Sequence, residues 1–426
     1  MLVAAGALES GAAALLQKYG TGVRLWILSD ENTEAAAGSR WKSAVQGARI
    51  SETVLSGQHK TVPTGALVAQ LAGEVRAQSP DLLVAVGSGV ISDLVKRVSL
   101  GAGRPNWCVV TAASVDAYSS ATAAIQIDGF HNSLPARASE AIVCDLDVIA
   151  GAPREMFLAG IGDLLAKFIA YTDWNLSRIM TGEHYCPLVS SAALESARSA
   201  LIAARTLRDD QAEAVRTLTD AALCSGFAMQ ALGSSRSAAS AEHTMAHFWE
   251  IAHCVGSGRF DLHGILTGAA SRIVFRVYRS LYERLVSVEP DVRRRLDSYD
   301  GEPPWQETVE EGLLPFMGKV RAEMSGRRFD RGILAQRLEA FRIGRVEIVG
   351  LGHAMLEELG ADVALLEGMG YPFSLEELGI PADLMLLPLR NVRMLRRRYS
   401  GFDLAYELGL ESVIRRSGEE YAAGAV

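Results

Sequence analysis

The sequence predicts an α/β domain built around a mostly parallel sheet, followed by an all-α domain. Over roughly the first 150 residues, short apolar runs alternate with amphipathic stretches, the pattern of β-α-β units. After Gly151-Ala152-Pro153, long helical periodicities take over and β-branched runs become few. With 426 residues, 49% hydrophobic and 22% charged, the chain is long and apolar enough for a core in each half. The expected domains are residues 1–152 and 153–426.

Four strands stand out in order. Val23 to Leu28 (VRLWIL) runs into Ser29-Asp30, Leu82 to Val86 (LLVAV) into Gly87, Trp107 to Val110 into Thr111, and Ala141 to Cys144 into Asp145. Each is an apolar run of strand length closed by a polar residue or a glycine. Doubly wound sheets take their ligands beyond the carboxyl ends of the strands, so these endings are expected to share a site. Leu188 to Arg205, Gln211 to Leu232 and Ala241 to Val255 carry helical spacing. Near the end, Pro372, Pro381 and Pro388 punctuate short helices, and Ser374 with Glu377 (S-L-E-E) has capping-box spacing.

Composition narrows the function. The 42 Lys+Arg against 50 Asp+Glu give a net charge of −8, which argues against a nucleic-acid-binding surface. The basic run RNVRMLRRR, Arg390 to Arg398, is read as a solvated helix face or an oligomer contact. Five cysteines without CxxC pairs suggest a reducing compartment. The apolar N-terminus lacks a positive flank and is interrupted by Glu9, and no run reaches the roughly 18 apolar residues of a membrane span. A cytoplasmic protein without a membrane partner is expected.

Several constellations carry chemistry. In LLVAVGSGVISDLVKR a strand, the Gly87-Ser88-Gly89 turn and a helix start follow one another. Backbone N–H groups and the helix dipole hold a phosphate at such a turn. A plain tight turn has the same pattern, because Ser92 stands where G-x-G-x-x-G has its third glycine; the following Asp93 favours the phosphate reading. Asp30 is either a partner for an adenosine ribose hydroxyl, disfavouring a 2′-phosphate, or an N-cap. In AEHTMAHFWEIAHC, His243 and His247 share a helix face with Glu250, while Met245, Phe248 and Ile251 fall on packing faces and His253 is rotated off the stripe. His263 follows the Gly256-Ser257-Gly258 break, which can return it to the same point. That spacing fits a divalent transition metal or a pair of hydrogen-bonded core histidines. Asp163 in GIGDLLAK is a carboxylate candidate, or a first-turn residue.

Taken together, the chain resembles the sn-glycerol-1-phosphate dehydrogenases, in the superfamily of glycerol dehydrogenases, iron-type alcohol dehydrogenases and dehydroquinate synthases. The marks are DENTEAAAG (Asp30 to Gly38), GSGVISD (Gly87 to Asp93), TAASVDAYSS (Thr111 to Ser120), GFHNSLPA (Gly129 to Ala136) and DLDVIAGAPREMFLAGIGDLLAK (Asp145 to Lys167). They continue with SRSAASAEHTMAHFWE (Ser235 to Glu250), LHG (Leu262 to Gly264) and RRRYSGFDLAYELGL (Arg396 to Leu410).

The resemblance implies a Rossmann-like nucleotide-binding domain, a dehydroquinate synthase-like all-α domain and an active site in the cleft between them. It implies Asp163, His243 and His263 as ligands of one divalent metal, zinc first, with nickel or ferrous iron as alternatives. Lys167 stands where iron-type enzymes with Asp-x-x-x-His carry a ligand, which fits the three-ligand class. It implies NAD or NADP at Gly87, Ser88 and Gly89, with Asp30, Asp93, Thr111, Ser114 and Ser120 in the cofactor site. Asp116 and His247 lie at the substrate, and a proton relayed through either serves catalysis. The implied substrate is a small phosphorylated or polyol molecule, dihydroxyacetone phosphate interconverted with sn-glycerol 1-phosphate, and relatives are commonly dimers or larger.

Departures from the family pattern surround these residues. Where the family reads T-A-P-S-x-D-G-Y, this chain has Ala113 and Ala117, and where it reads S-R-P-A-S-G-x-E-H, this chain has Ser237-Ala238-Ala239-Ser240. Where it has Gly-Phe-Lys, His131 removes a cation. A paralogous reductase of another carbonyl is therefore an alternative. A second is an NAD-using sugar-phosphate cyclase or lyase of the dehydroquinate synthase type, disfavoured by His131 and by Ile265-Leu266 after His263-Gly264. A non-enzymatic protein on the same fold is disfavoured by the intact ligand set. Arg236 is a candidate for a substrate phosphate or for an ion pair.

Overall fold

The computed structural model describes residues 1–57, 61–127, 130–252, 262–288, 292–299, 301, 313, 317–327 and 329–424. His253 and the Gly256-Ser257-Gly258 break lie outside the described residues. The chain forms an N-terminal mixed α/β domain and a C-terminal all-α domain. It divides into two compact units, Met1–Leu164 with Ser191–Ser235 and Leu262–Ile265, and Leu165–Ser190 with Arg236–Asp261 and Leu266–Val426.

The strands of the first unit are β1 (Leu2–Ala4), β2 (Arg24–Asp30), β3 (Arg49–Leu55), β4 (Leu82–Gly87), β5 (Asn106–Val110), β6 (Thr122–Ile127), β7 (Phe130–Pro135) and β8 (Ala141–Asp145). Six of them pair in parallel in the order β1-β8-β5-β4-β2-β3. β2, β4, β5 and β8 are the four apolar runs of the sequence, and β4 is buried along its whole length, as an interior parallel strand covered on both faces must be. Alternate residues Leu25 and Ile27, with Val84, Val86, Val109 and Val143, pack on Trp41 and on Leu8 and Leu15 of α1 (Ala7–Tyr19). Helices α2 (Gly65–Gln78) and α3 (Gly89–Ala102) flank β4 in the chain.

The sheet order reverses at one place. β3 lies outward of β2, whereas the chain leaving β4 continues to β5 and β8 on the other side. The endings of β2 and β4, Asp30 and Gly87, thus flank a topological switch point, where open α/β sheets take their ligands. β6 and β7 form a separate antiparallel hairpin.

The helices that follow are α4 (Arg154–Thr181), α5 (Pro187–Thr206), α6 (Gln211–Leu232), α7 (Ala241–Ala252), α8 (His263–Ser287), α9 (Arg331–Gly368), α10 (Ala382–Leu395) and α11 (Gly401–Glu407). Ser374 accepts from the Glu377 N–H at 3.1 Å while Glu377 accepts from the Ser374 N–H at 3.2 Å, the reciprocal cap expected from S-L-E-E.

The basic run is a solvated helix face only in part: Arg390 is exposed on α10, whereas Arg393, Arg397 and Arg398 are engaged by the protein. α10 stops at Leu395, and beyond it Arg397 and Arg398 donate to main-chain carbonyls of the second unit. Arg397 donates to the Ala322 and Glu323 carbonyls, at 3.0 and 2.5 Å, and so satisfies the end of helix Met317–Met324. Arg393 donates to Asp403 at 3.0 Å and lies 3.6 Å over the Tyr406 ring. Among the described residues no helix is long and apolar enough to cross a membrane.

Candidate metal and active site

The strand endings of the first unit assemble a polar edge. Ser88 caps α3, its Oγ accepting from Gly89 N at 2.6 Å and meeting Ser114 Oγ at 3.1 Å. Thr111 N donates to Gly87 O, which holds the β4 and β5 endings side by side. The 14-residue α3 therefore aims its first N–H groups at the switch point, the arrangement that receives a pyrophosphate. Asp30 is an N-cap in fact: its Oδ1 accepts from Asn32 N and Thr33 N, both at 2.9 Å.

Asp93 is turned away from that edge. It is buried, lies 2.8 Å from Lys96 Nζ and accepts from Ala124 N of the hairpin at 2.8 Å. Lys96 is fully buried and donates to the carbonyls of Ala117 and Thr122 at 2.7 Å and to Ser120 Oγ at 3.1 Å. The ammonium is thus one of the ties on the loop that carries Asp116 and Ser120. Sequence reasoning missed Lys96; its only signal is the i,i+3 spacing from Asp93 on a helix.

Asp163 lies inside α4, not at its start, and is almost fully buried. Its Oδ2 accepts from Asp116 N at 2.9 Å, and its Oδ1 lies 4.0 Å from His263 Nε2. Asp116 in turn accepts from Ser225 Oγ of α6 at 2.7 Å. Two glycines allow this convergence. A Cβ on Gly160 would stand 1.9 Å from the Ala113 carbonyl oxygen, and one on Gly264 would stand 1.9 Å from that of Ala159. Backbone meets backbone at both places, so the Ala113 loop, α4 and the start of α8 stack without side chains between them.

In the second unit, α7 presents its histidines on carboxylates. His243 Nδ1 lies 2.9 Å from Glu242 Oε1, which also accepts from Ser240 N at 2.6 Å. His247 Nδ1 lies 2.9 Å from Glu250 Oε2. A carboxylate on Nδ1 fixes the tautomer whose lone pair is on Nε2, the state a metal ligand needs. Glu242 is a residue the sequence reading overlooked, although it directly precedes His243. Glu242→Gln is expected to weaken metal binding by about 10- to 100-fold. Competition with a chromophoric chelator measures this, and an unchanged affinity would remove Glu242 from the support of His243.

Beside α7 lies a buried network. Asp173 accepts from Ser240 Oγ at 2.5 Å, from Tyr278 OH at 2.8 Å and from Gly401 N at 3.0 Å. Arg236 belongs to this network: Glu183 accepts from its Nε at 3.0 Å, and the Asp173 and Tyr399 carbonyls accept from its Nη2. The ion-pair reading of Arg236 holds. Burial pushes the Asp173 carboxyl up to about 7, opposed by the Ser240 and Tyr278 hydrogen bonds and the Arg236 charge. Between the ordinary carboxylate range and about pH 7 the folded state then binds more protons than the unfolded chain. The stability this group contributes is present at low pH and lost as pH rises through about 7. Asp173→Asn is expected to flatten the decline in Tm between about pH 5 and pH 8. A slope equal to that of the wild type would show Asp173 ionised throughout.

Among the described residues, Asp163 and His263 of the first unit offer a carboxylate oxygen and an imidazole nitrogen 4.0 Å apart, and in the second unit His243, His247 and Glu250 lie on one helix. Two imidazoles and a carboxylate suit zinc, nickel or ferrous iron.

A family model described as iron-containing alcohol dehydrogenase matches residues 2–153. The glycerol-1-phosphate dehydrogenase (NAD(P)+) of Halalkalibacterium halodurans is 32% identical over 291 residues, 65% of this chain and 67% of that protein. The one from Geobacillus stearothermophilus is 31% identical over 288 residues, 66% of this chain and 70% of that protein. The chain belongs to the iron-containing alcohol dehydrogenase superfamily. The fold is that of a probable glycerol dehydrogenase from Sinorhizobium meliloti, 18% identical, with a TM-score of 0.55 over 83% of this chain and 97% of that one. The alignments with the curated superfamily members span about two thirds of their length.

Proposed function

We propose that the chain is a metal-dependent NAD(P)H oxidoreductase that interconverts dihydroxyacetone phosphate and sn-glycerol 1-phosphate, or a closely related small hydroxy-ketone. The observation that carries this is the divided Asp163 carboxylate, with one oxygen on the Asp116 backbone and the other turned to His263. Asp163, His263 and the carboxylate-oriented His243 are the metal ligands in this reading. A divalent cation held there supplies Lewis-acid polarisation of a carbonyl or hydroxyl oxygen. The identity of 31–32% to glycerol-1-phosphate dehydrogenases supports the substrate class.

The chain's own residues do the rest. The N–H groups at the start of α3 bind the pyrophosphate of the dinucleotide, and Ser88, Thr111 and Ser114 line its path. Asp30 keeps its Oδ2 for a ribose hydroxyl while its Oδ1 caps the backbone, which favours NAD over NADP. Asp116, fixed by Ser225, orients the substrate hydroxyls. His247, fixed by Glu250, holds the proton that the new hydroxyl receives in reduction and takes it back in oxidation. Residues 1–152 are the nucleotide-binding domain in this reading, and the helical remainder completes the site.

The test is consumption of NADH and NADPH with dihydroxyacetone phosphate, on protein stripped with chelator and reloaded with zinc, nickel or ferrous iron. Saturable turnover that returns with metal supports the reading. Absence of turnover, with metal and dinucleotide still bound, overturns the substrate and directs the search to other hydroxy-ketones.

A further inference from the structure

Resting on the reading above, we propose that Arg396 is the anchor for the phosphate of the substrate. The residues from Arg396 to Ser400 link α10 to α11 outside any helix, with extended backbone at both ends, φ −155° and ψ 138° at Arg396 and φ −149° and ψ 176° at Ser400. Alternate side chains of extended backbone share a side. Arg397 points to the end of helix Met317–Met324. Arg398 points the other way, and its Nη1 donates to the Ala239 carbonyl at 2.6 Å, two residues before α7 begins. Arg396 shares the side of Arg398. The Glu242 carboxylate attracts both arginines and Arg236 repels both, and Glu323 of helix Met317–Met324 attracts Arg396 in addition.

The charges on that side do not balance by contact. Arg236 is matched by Glu183. Oε1 of Glu242 is engaged with Ser240 N and His243 Nδ1. Among the described residues no oxygen accepts from the Arg396 guanidinium, which is partly exposed to solvent. Burial, reinforced by the Arg236 charge and opposed by the Glu242 and Glu323 carboxylates, holds Arg396 below the ordinary arginine range, yet it keeps its charge at any pH the protein meets. A guanidinium in this position gains from an incoming dianion, and its planar fork matches two oxygens of a phosphate monoester. Arg398, two residues on in the same segment, reaches the Ala239 carbonyl just before the helix that carries His243 and His247.

The experiment uses the full chain with three substitutions, Arg396→Ala, Arg396→Lys and, as a control on the opposite side, Arg397→Ala. Inorganic phosphate is the binding probe, measured by calorimetry, and dihydroxyacetone phosphate and unphosphorylated dihydroxyacetone are the kinetic pair. Arg396→Ala is expected to weaken phosphate binding by at least about tenfold and to raise KM for dihydroxyacetone phosphate by a similar factor. Its kcat with dihydroxyacetone should stay within about twofold, and Arg396→Lys should recover part of the loss. Arg397→Ala should change none of these. Unchanged phosphate binding in Arg396→Ala overturns the anchor and leaves the reductase reading standing. Equal losses with both ketones, or failure of Arg396→Lys to bind phosphate any better than Arg396→Ala, also overturn it. Phosphate binding through Arg396 in a wild-type protein that does not reduce dihydroxyacetone phosphate supports the anchor and overturns that substrate.

Discussion

Asp163→Asn is expected to lower turnover by at least about 10³-fold and to release most of the bound metal. A cation that stabilises developing negative charge on an oxygen contributes several kcal/mol to the transition state, and about 4 kcal/mol corresponds to that factor. The amide keeps the volume of the carboxylate and an oxygen for the Asp116 N–H, so the loop before α4 retains its anchor. What is lost is the charge turned toward His263. Binding of NADH at the switch point should be unchanged. Metal content by elemental analysis and turnover after reloading are the two readouts. Full metal content with turnover within about threefold of the wild type would remove Asp163 from the ligand set.

Lys96→Met is expected to destabilise the protein by about 3–5 kcal/mol, because it leaves the Asp93 carboxylate buried without its cation. Two backbone carbonyls, which also accept from Ser120, lose the Lys96 donor at the same time. Urea unfolding with matched slopes measures the change. The double variant Lys96→Met with Asp93→Asn should recover a large part of it, since no buried charge then remains. A single variant as stable as the wild type would mean that water reaches Asp93. The same substitution frees the loop from Ala117 to Thr122, so a weaker dinucleotide affinity should accompany the loss of stability.

Legibility followed the strength of the local signal. Interior parallel strands read clearly because burial on both faces leaves a continuous apolar run, as in LLVAV. The hairpin did not: TAAIQI alternates weakly and its partner FHNSLP carries polar residues and a proline. β1 is only three residues long. The edge strand β3, RISETVL, is flanked by charge and half exposed, so it resembles a loop. Among site residues, the ligand candidates stood out by residue type and by family resemblance, but types cannot say which oxygen faces what. Asp30 was open between ribose partner and cap, and its Oδ1 is the cap. Asp93 follows the glycine turn in sequence, yet helix periodicity carries its side chain round to Lys96. Lys96 and Ser225 reach the site from elsewhere in the chain, through contacts that no spacing encodes. The basic run was partly misjudged because nothing in RNVRMLRRR announces that the helix stops at Leu395 and that carbonyls wait beside the chain that follows.

The stacking at Gly160 and Gly264 limits how this centre can evolve. The bite between Asp163 and His263 is set by three main chains in van der Waals contact, with no side chain in the stack to enlarge or trim. A population of variants exploring new metals or substrates finds no graded route there, since the smallest added group is already too large. Adaptation is channelled outward, to side chains such as Ala117, His131 and Ser240 that take no part in the stack. A rigid bite with a permissive rim lets one lineage keep its reaction while changing what it reacts with.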